Sequence, residues 1–131
     1  MHLRLRVPVL HYGLMAAGTV LLAGCGTKCS LVAFSTLQVT VVASQSGKTI
    51  NAGSTVIVRG RAVYDSVTVA ASDSTRQFAY QGDESRVPAG DYTVTVRHSG
   101  YREWVSSATV EQNGCHAGRG PTITATLVAT P

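Results

Sequence analysis

Apolar and polar residues alternate with a period of two along several short stretches of this chain. The first is Leu37-Gln38-Val39-Thr40-Val41, the signature of a half-buried strand. Gln45-Ser46-Gly47-Lys48 then predicts a turn, with Gly47 free to take a positive φ. A second strand is expected over residues 55–59, with Val56 and Val58 on one face and Gly60 interrupting it as a bulge. Residues 62–69 carry Val63, Val67 and Val69 and read as a third strand, followed by a loop at Ser72-Asp73-Ser74. A weaker strand is expected over residues 77–80, where Phe78 and Tyr80 alternate, and then a polar loop over residues 81–90 containing Pro88 and Gly90. The clearest strand is Tyr92-Thr93-Val94-Thr95-Val96-Arg97, with Tyr92, Val94 and Val96 facing one way. Residues 101–111 are extended, with Trp104, Ser106, Ala108 and Val110 on one parity. Asn113-Gly114 is a turn signal, and Gly114, Gly118, Gly120 and Pro121 predict a longer irregular connection. Ile123, Ala125 and Leu127 alternate with threonines in a last strand.

About seven short strands separated by turn signals predict an all-β chain folded as a single β-sandwich. A small β-barrel is the alternative architecture. No stretch after Cys25 has helical periodicity, and no internal repeat marks a second domain. Tyr92 follows a glycine and Asp91 at a strand start. That position suits a tyrosine corner, its ring in the core and its hydroxyl on nearby backbone. Trp104 fits either the core or a contact surface.

The first 24 residues do not share this pattern. Arg4 and Arg6 are followed by a run from Val7 to Gly24 without Asp, Glu, Lys or Arg, the layout of a signal peptide. Pro8, His11 and two glycines interrupt the run, which falls short of the roughly 20 apolar residues of a membrane-spanning helix. It ends in Leu22-Ala23-Gly24-Cys25, which resembles the lipobox of bacterial lipoproteins. The resemblance implies cleavage after Gly24 and a covalent lipid on the Cys25 sulfur. Gly26, where an aspartate would favour inner-membrane retention, implies the outer membrane.

With Cys25 acylated, Cys29 and Cys115 remain. An exported chain resides where disulfides persist, and two cysteines allow one pairing. A metal site and a reactive thiol are the competing readings. Zinc needs about four ligands, and after Cys25 the chain adds only His98 and His116, without ligand spacing. No metal and no cofactor other than the lipid is expected.

Gly90-Asp91-Tyr92-Thr93-Val94-Thr95-Val96, followed by Ser99-Gly100-Tyr101, resembles the carboxypeptidase regulatory-like domain. Val39-Thr40-Val41, Gly47 and Ala52-Gly53-Ser54-Thr55-Val56 fit its opening hairpin. Trp104, Val110 and Cys115-His116 resemble a lipoprotein subset, in which a cysteine soon after the lipobox matches one near the last strand. The resemblance implies an Ig-like or transthyretin-like sandwich with no catalytic role. It divides the chain into a signal peptide (residues 1–24), a lipidated tether (25–34) and the sandwich (35–131).

Charge and chemistry narrow the function further. The chain has 11 Lys+Arg against 7 Asp+Glu, a formal net charge of +4. The basic residues are dispersed, whereas nucleic-acid binding needs a concentrated patch. Neither His98 nor His116 has the His-x-x-Glu spacing of zinc carboxypeptidases. Ser46-Gly47-Lys48-Thr49 matches the tail of a P-loop, but Val42 stands where that motif needs its first glycine. A Ser–His–Asp triad from His98 or His116 with Asp65, Asp73, Asp83 or Asp91 stays open, but nothing in the sequence orders those residues. The expectation is therefore a non-enzymatic, lipid-anchored envelope protein, facing the periplasm and serving as a structural or protein-interaction module. The alternative is a module that binds peptide or carbohydrate through its loops. The charged residues Asp83, Glu84 and Arg86 form the candidate contact loop, since recognition concentrates on loops of a rigid sandwich.

Overall fold

In the computed structural model, which describes residues 34–131, every regular element is a β-strand. β1 (Ser35–Ala43) buries Leu37, Val39, Val41 and Ala43 and leaves Gln38, Thr40 and Val42 half-buried on its other face. β2 (Thr55–Arg59) buries three successive residues, Val56, Ile57 and Val58, and the alternation resumes in β3 (Tyr64–Thr68), β4 (Tyr80–Asp83), β5 (Gly90–Arg97) and β6 (Trp104–Val110). Two short strands, β7 (Gln112–Asn113) and β8 (His116–Ala117), form a hairpin before β9 (Thr122–Leu127).

The strands sort into a three-stranded sheet in the order β4-β1-β9 and a four-stranded sheet in the order β3-β2-β5-β6, with β7-β8 apart. Those two sheets hold seven strands. One core joins them: Leu37, Val39, Val41 and Leu127 from the first meet Val56, Val58, Val94 and Val96 from the second. This is a two-layer β-sandwich, not the barrel. β1 runs parallel to β9 and antiparallel to β4, whereas all pairs in the second sheet are antiparallel.

The register defines two ends. Asp83 pairs with Ser35, and Gly90 with Val110. The residue 84–90 loop, the start of β1 and the β7-β8 hairpin therefore share one end. At the other end lie the β1-β2 connection, the loop after β3 and the β5-β6 turn, where Tyr101 bridges to Ala129.

Side chains close the remaining gaps. The Tyr92 hydroxyl donates to the Pro88 carbonyl at 2.6 Å, the tyrosine-corner bond expected of it, and burial raises its phenol pKa. Tyr80 is fully buried and donates to Asp65 Oδ2 at 2.8 Å, tying β4 to β3 across the sheets. Burial, then that hydrogen bond, pushes the Tyr80 phenol well above its usual range. Trp104 is half-buried and packs on the core.

Three expectations need correcting. The fourth strand is residues 80–83 rather than 77–80, so part of the expected loop is sheet. Gly82 faces inward there, where an added Cβ would fall 2.7 Å from Val87. Gly60 is not a bulge: its N–H donates to the Val63 carbonyl in the β2-β3 turn, and it lies against the Tyr92 ring. The expected irregular connection over residues 114–120 is largely the β7-β8 hairpin, turned at Gly114 with φ of 63°. Gly120 then passes so close to β1 that a Cβ would collide with the Thr36 carbonyl.

Candidate functional site

Of the sequence-derived site residues, the four that are described, Asp83, Glu84, Arg86 and Cys115, lie at one end of the sandwich. Cys115 occupies the exposed turn of the β7-β8 hairpin and is disulfide-bonded. The chain's other cysteines, Cys25 and Cys29, lie outside the described residues, as do the signal peptide and nearly all of the tether.

Asp83, Glu84 and Arg86 are all engaged within the fold. Asp83 ends β4 and caps the following turn: its Oδ1 accepts from the Ser85 N–H at 3.0 Å and the Arg86 N–H at 3.2 Å. The Ser85 hydroxyl also donates to it, and these bonds hold the Asp83 carboxyl below its usual range. Arg86 Nη1 lies 3.9 Å from Asp65 Oδ2, beside the Tyr80 bond.

Glu84 reaches across to the hairpin. Its Oε1 accepts from the Ala117 N–H at 2.9 Å, and its Oε2 lies 3.0 Å from His116 Nδ1. An ionised carboxylate only accepts, so Nδ1 carries the hydrogen. His116 Nε2 is buried without a partner among the described residues. The Ala117 N–H, then His116, lowers the Glu84 carboxyl below its ordinary value of 4.5. Contact of Glu84 with the hairpin is therefore fully present above that value and lost as pH falls through the depressed one. Hydrogen-exchange protection of the Ala117 amide should fall over that acidic window, and Glu84→Gln should flatten the profile. Unchanged protection in the variant would show that the carboxylate does not hold the hairpin.

A shallow cavity of about 320 Å³ beside the hairpin is lined by Phe34, Asn113, His116, Gly118 and Arg119 among others. The Arg119 guanidinium lies 6.0 Å from the Phe34 ring centre. At the opposite end, His98 Nε2 is 3.1 Å from the Ala52 carbonyl oxygen, and its ring meets Tyr101 edge-on at 5.1 Å. There, too, Arg97 is paired with Glu103.

Sequence reasoning missed the Glu84–His116 contact because 32 positions separate the two residues, and no local spacing encodes it. It also placed the candidate contact loop without knowing which end it occupies: that loop shares the Cys115 end. Among the described residues no group of three His, Cys, Asp or Glu side chains is placed to hold a metal ion.

Compared with known proteins, the chain has no match among family models, and no significant match among curated proteins or solved structures.

Proposed function

We propose that this chain is an exported, lipid-anchored β-sandwich of the cell envelope that acts without catalysis, as a structural or protein-interaction module. The observation that carries the reading is Leu22-Ala23-Gly24-Cys25 at the close of a charge-free run that follows Arg4 and Arg6. The disulfide at Cys115 supports export, because such bonds persist in oxidising compartments. In this reading Cys29 is its partner, and the sandwich is of the transthyretin-like, carboxypeptidase regulatory-like kind. The tyrosine corner at Tyr92 and the split into three and four strands support that class.

Only Gly26, Thr27 and Lys28 separate Cys25 from Cys29, a reach of at most about 14 Å. The Cys115 end then lies at the outer-membrane surface, and the opposite end, with the His98–Tyr101 turn, faces the periplasm. A protein partner meets that far end or an open sheet face. Asp83, Glu84 and Arg86 serve to brace the membrane-proximal end, which deepens their role from contact loop to support.

Intact mass of the protein purified from membranes tests the anchor. The expected species begins at Cys25 and carries acyl chains, and Cys25→Ser releases the protein from the membrane fraction. A chain that retains residues 1–24, or an unmodified Cys25, would overturn the reading.

A further inference from the structure

We infer that the outer face of the four-stranded sheet carries a binding groove for an anionic saccharide, a sugar bearing a phosphate or a carboxylate. The register places Tyr64, Arg59, Thr93 and Ser107 in a single row across β3, β2, β5 and β6. All four side chains are on the solvent face, and Tyr64 is 65% exposed. Beside the row lies a groove of about 440 Å³, lined by Arg59, Arg61, Asp91, Thr93 and Ser107. Gly60 and Tyr92 also line it, and a Cβ at residue 60 would fall 2.7 Å from the Tyr92 ring.

The groove brings together two arginines that lack a carboxylate partner among the described residues, as Arg102 and Arg119 also do elsewhere on the surface. Arg76, Arg86 and Arg97 each have a carboxylate partner. Arg59 and Arg61 have none among the described residues, and Arg59 instead lies 5.3 Å from the Tyr64 ring centre. Two guanidinium groups on one groove suit an oxyanion, which arginine binds through paired N–H donors. Asp91 argues against a bare inorganic anion, since it adds a negative charge to the groove. One of its oxygens accepts from the Thr109 hydroxyl at 2.7 Å. A carboxylate has further acceptor sites, and these suit the hydroxyl donors of a sugar. Thr93 and Ser107 add hydroxyls to the same surface. Tyr64, with Arg59 over one face of its ring, has the other face to offer to the apolar face of a pyranose. The combination of unpaired cations, a carboxylate acceptor, hydroxyls and an aromatic edge fits a ligand that is both anionic and polyhydroxylated. The inference stands apart from the lipid anchor and holds whether or not Cys25 is acylated.

Titration of purified full-length protein in detergent, followed by backbone amide shifts, tests it. The probes are glucose 1-phosphate, glucuronate, glucose and inorganic phosphate. At least one anionic sugar should bind about tenfold more tightly than both glucose and inorganic phosphate, and shift the amides of Thr93 and Ser107. Arg59→Gln with Arg61→Gln should weaken it by about tenfold or more, and Tyr64→Ala by a few-fold. Arg97→Gln, at the other end of the sheet, should leave it unchanged. Asp91→Asn should weaken the sugar yet tighten inorganic phosphate. The two anionic arms distinguish a phosphorylated from a carboxylated ligand. Binding of inorganic phosphate as tight as the better of the two anionic sugars, no saturable binding, or undiminished binding by the double arginine variant would each overturn the assignment. All five substituted side chains are exposed, and matching melting temperatures would confirm that the variants remain folded.

Discussion

Replacing Asn51 with aspartate is expected to cost about 3–5 kcal/mol of stability at neutral pH. Asn51 is 3% exposed and is the hub of the end opposite Cys115. Its Oδ1 accepts from the Val41 N–H at 2.8 Å, on β1. Its Nδ2 donates to the carbonyls of Arg76 and Gln77, both at 3.0 Å, on the segment leading into β4. That segment belongs to no strand, and this amide supplies the donors its two carbonyls need. Aspartate keeps the acceptor for Val41 but turns an oxygen toward two carbonyl oxygens. The ionised form then lies buried against like partial charges, and the neutral form restores only one of two bonds. Both burial and the facing carbonyls raise the folded-state pKa of the introduced carboxyl above its unfolded value of about 3.9. A group raised in this way favours folding most below the unfolded value. Its penalty grows as pH rises through the folded value. Urea denaturation at roughly pH 7 and about pH 4 should therefore show the deficit relative to wild type shrinking on acidification. Asn51→Ala should lose about 2–3 kcal/mol with no such pH dependence. A deficit in Asn51→Asp that is below about 1 kcal/mol, or that does not change with pH, would refute the hub role.

The legibility of this fold follows the size of its inward-facing side chains. β1, β5 and β9 place Val, Leu, Ile, Ala or Tyr at every second position, and the period-2 pattern marks each of them, while β2 shows as a short β-branched run, Val56-Ile57-Val58. β4 alternates Tyr80 with Gly82, so half of its buried face has no side chain for a hydrophobic pattern to register. The apolar weight of Phe78 drew the expected strand three residues early, whereas Phe78 is only half-buried. β7 and β8 bury Ala117 alone and are held instead by hydrogen bonds, among them Gly118 N–H to the Glu111 carbonyl at 2.7 Å. Such bonds leave no periodicity. The candidate site was legible only where one residue carries its own chemistry, as Cys115 does. The Glu84–His116 contact and the row from Tyr64 to Ser107 depend on register between distant strands, which local sequence does not contain. Tyr92 was legible for the opposite reason: its corner bond to Pro88 spans four residues.

Breaking the disulfide at Cys115 should remove about 4–5 kcal/mol if its partner is Cys29, because the bond then closes a loop of roughly 86 residues. For a domain whose total stability is on the order of 5–15 kcal/mol, that is a large share. Apart from that bond the hairpin bearing Cys115 is held by two strands of two residues each, the Glu84 contacts and hydrogen bonds from Gly118 and Gln112. Cys29→Ser and Cys115→Ser should each lower the denaturation midpoint equally, and the double variant should lose no more than either single one. Two residues that act through one bond cannot be additive. Reduction of the wild-type protein should reproduce the same loss. Cys25→Ser should leave stability unchanged while freeing the protein from membranes, since its thiol is assigned to the lipid. On the proposed reading the three cysteines carry separable signatures, stability for two and membrane retention for one. If Cys25→Ser rather than Cys29→Ser matched Cys115→Ser in stability, Cys25 would be the disulfide partner. A sulfur cannot be both acylated and cross-linked, so the lipid anchor would fall with the pairing, and the assignment of the Cys115 end to the membrane surface with it.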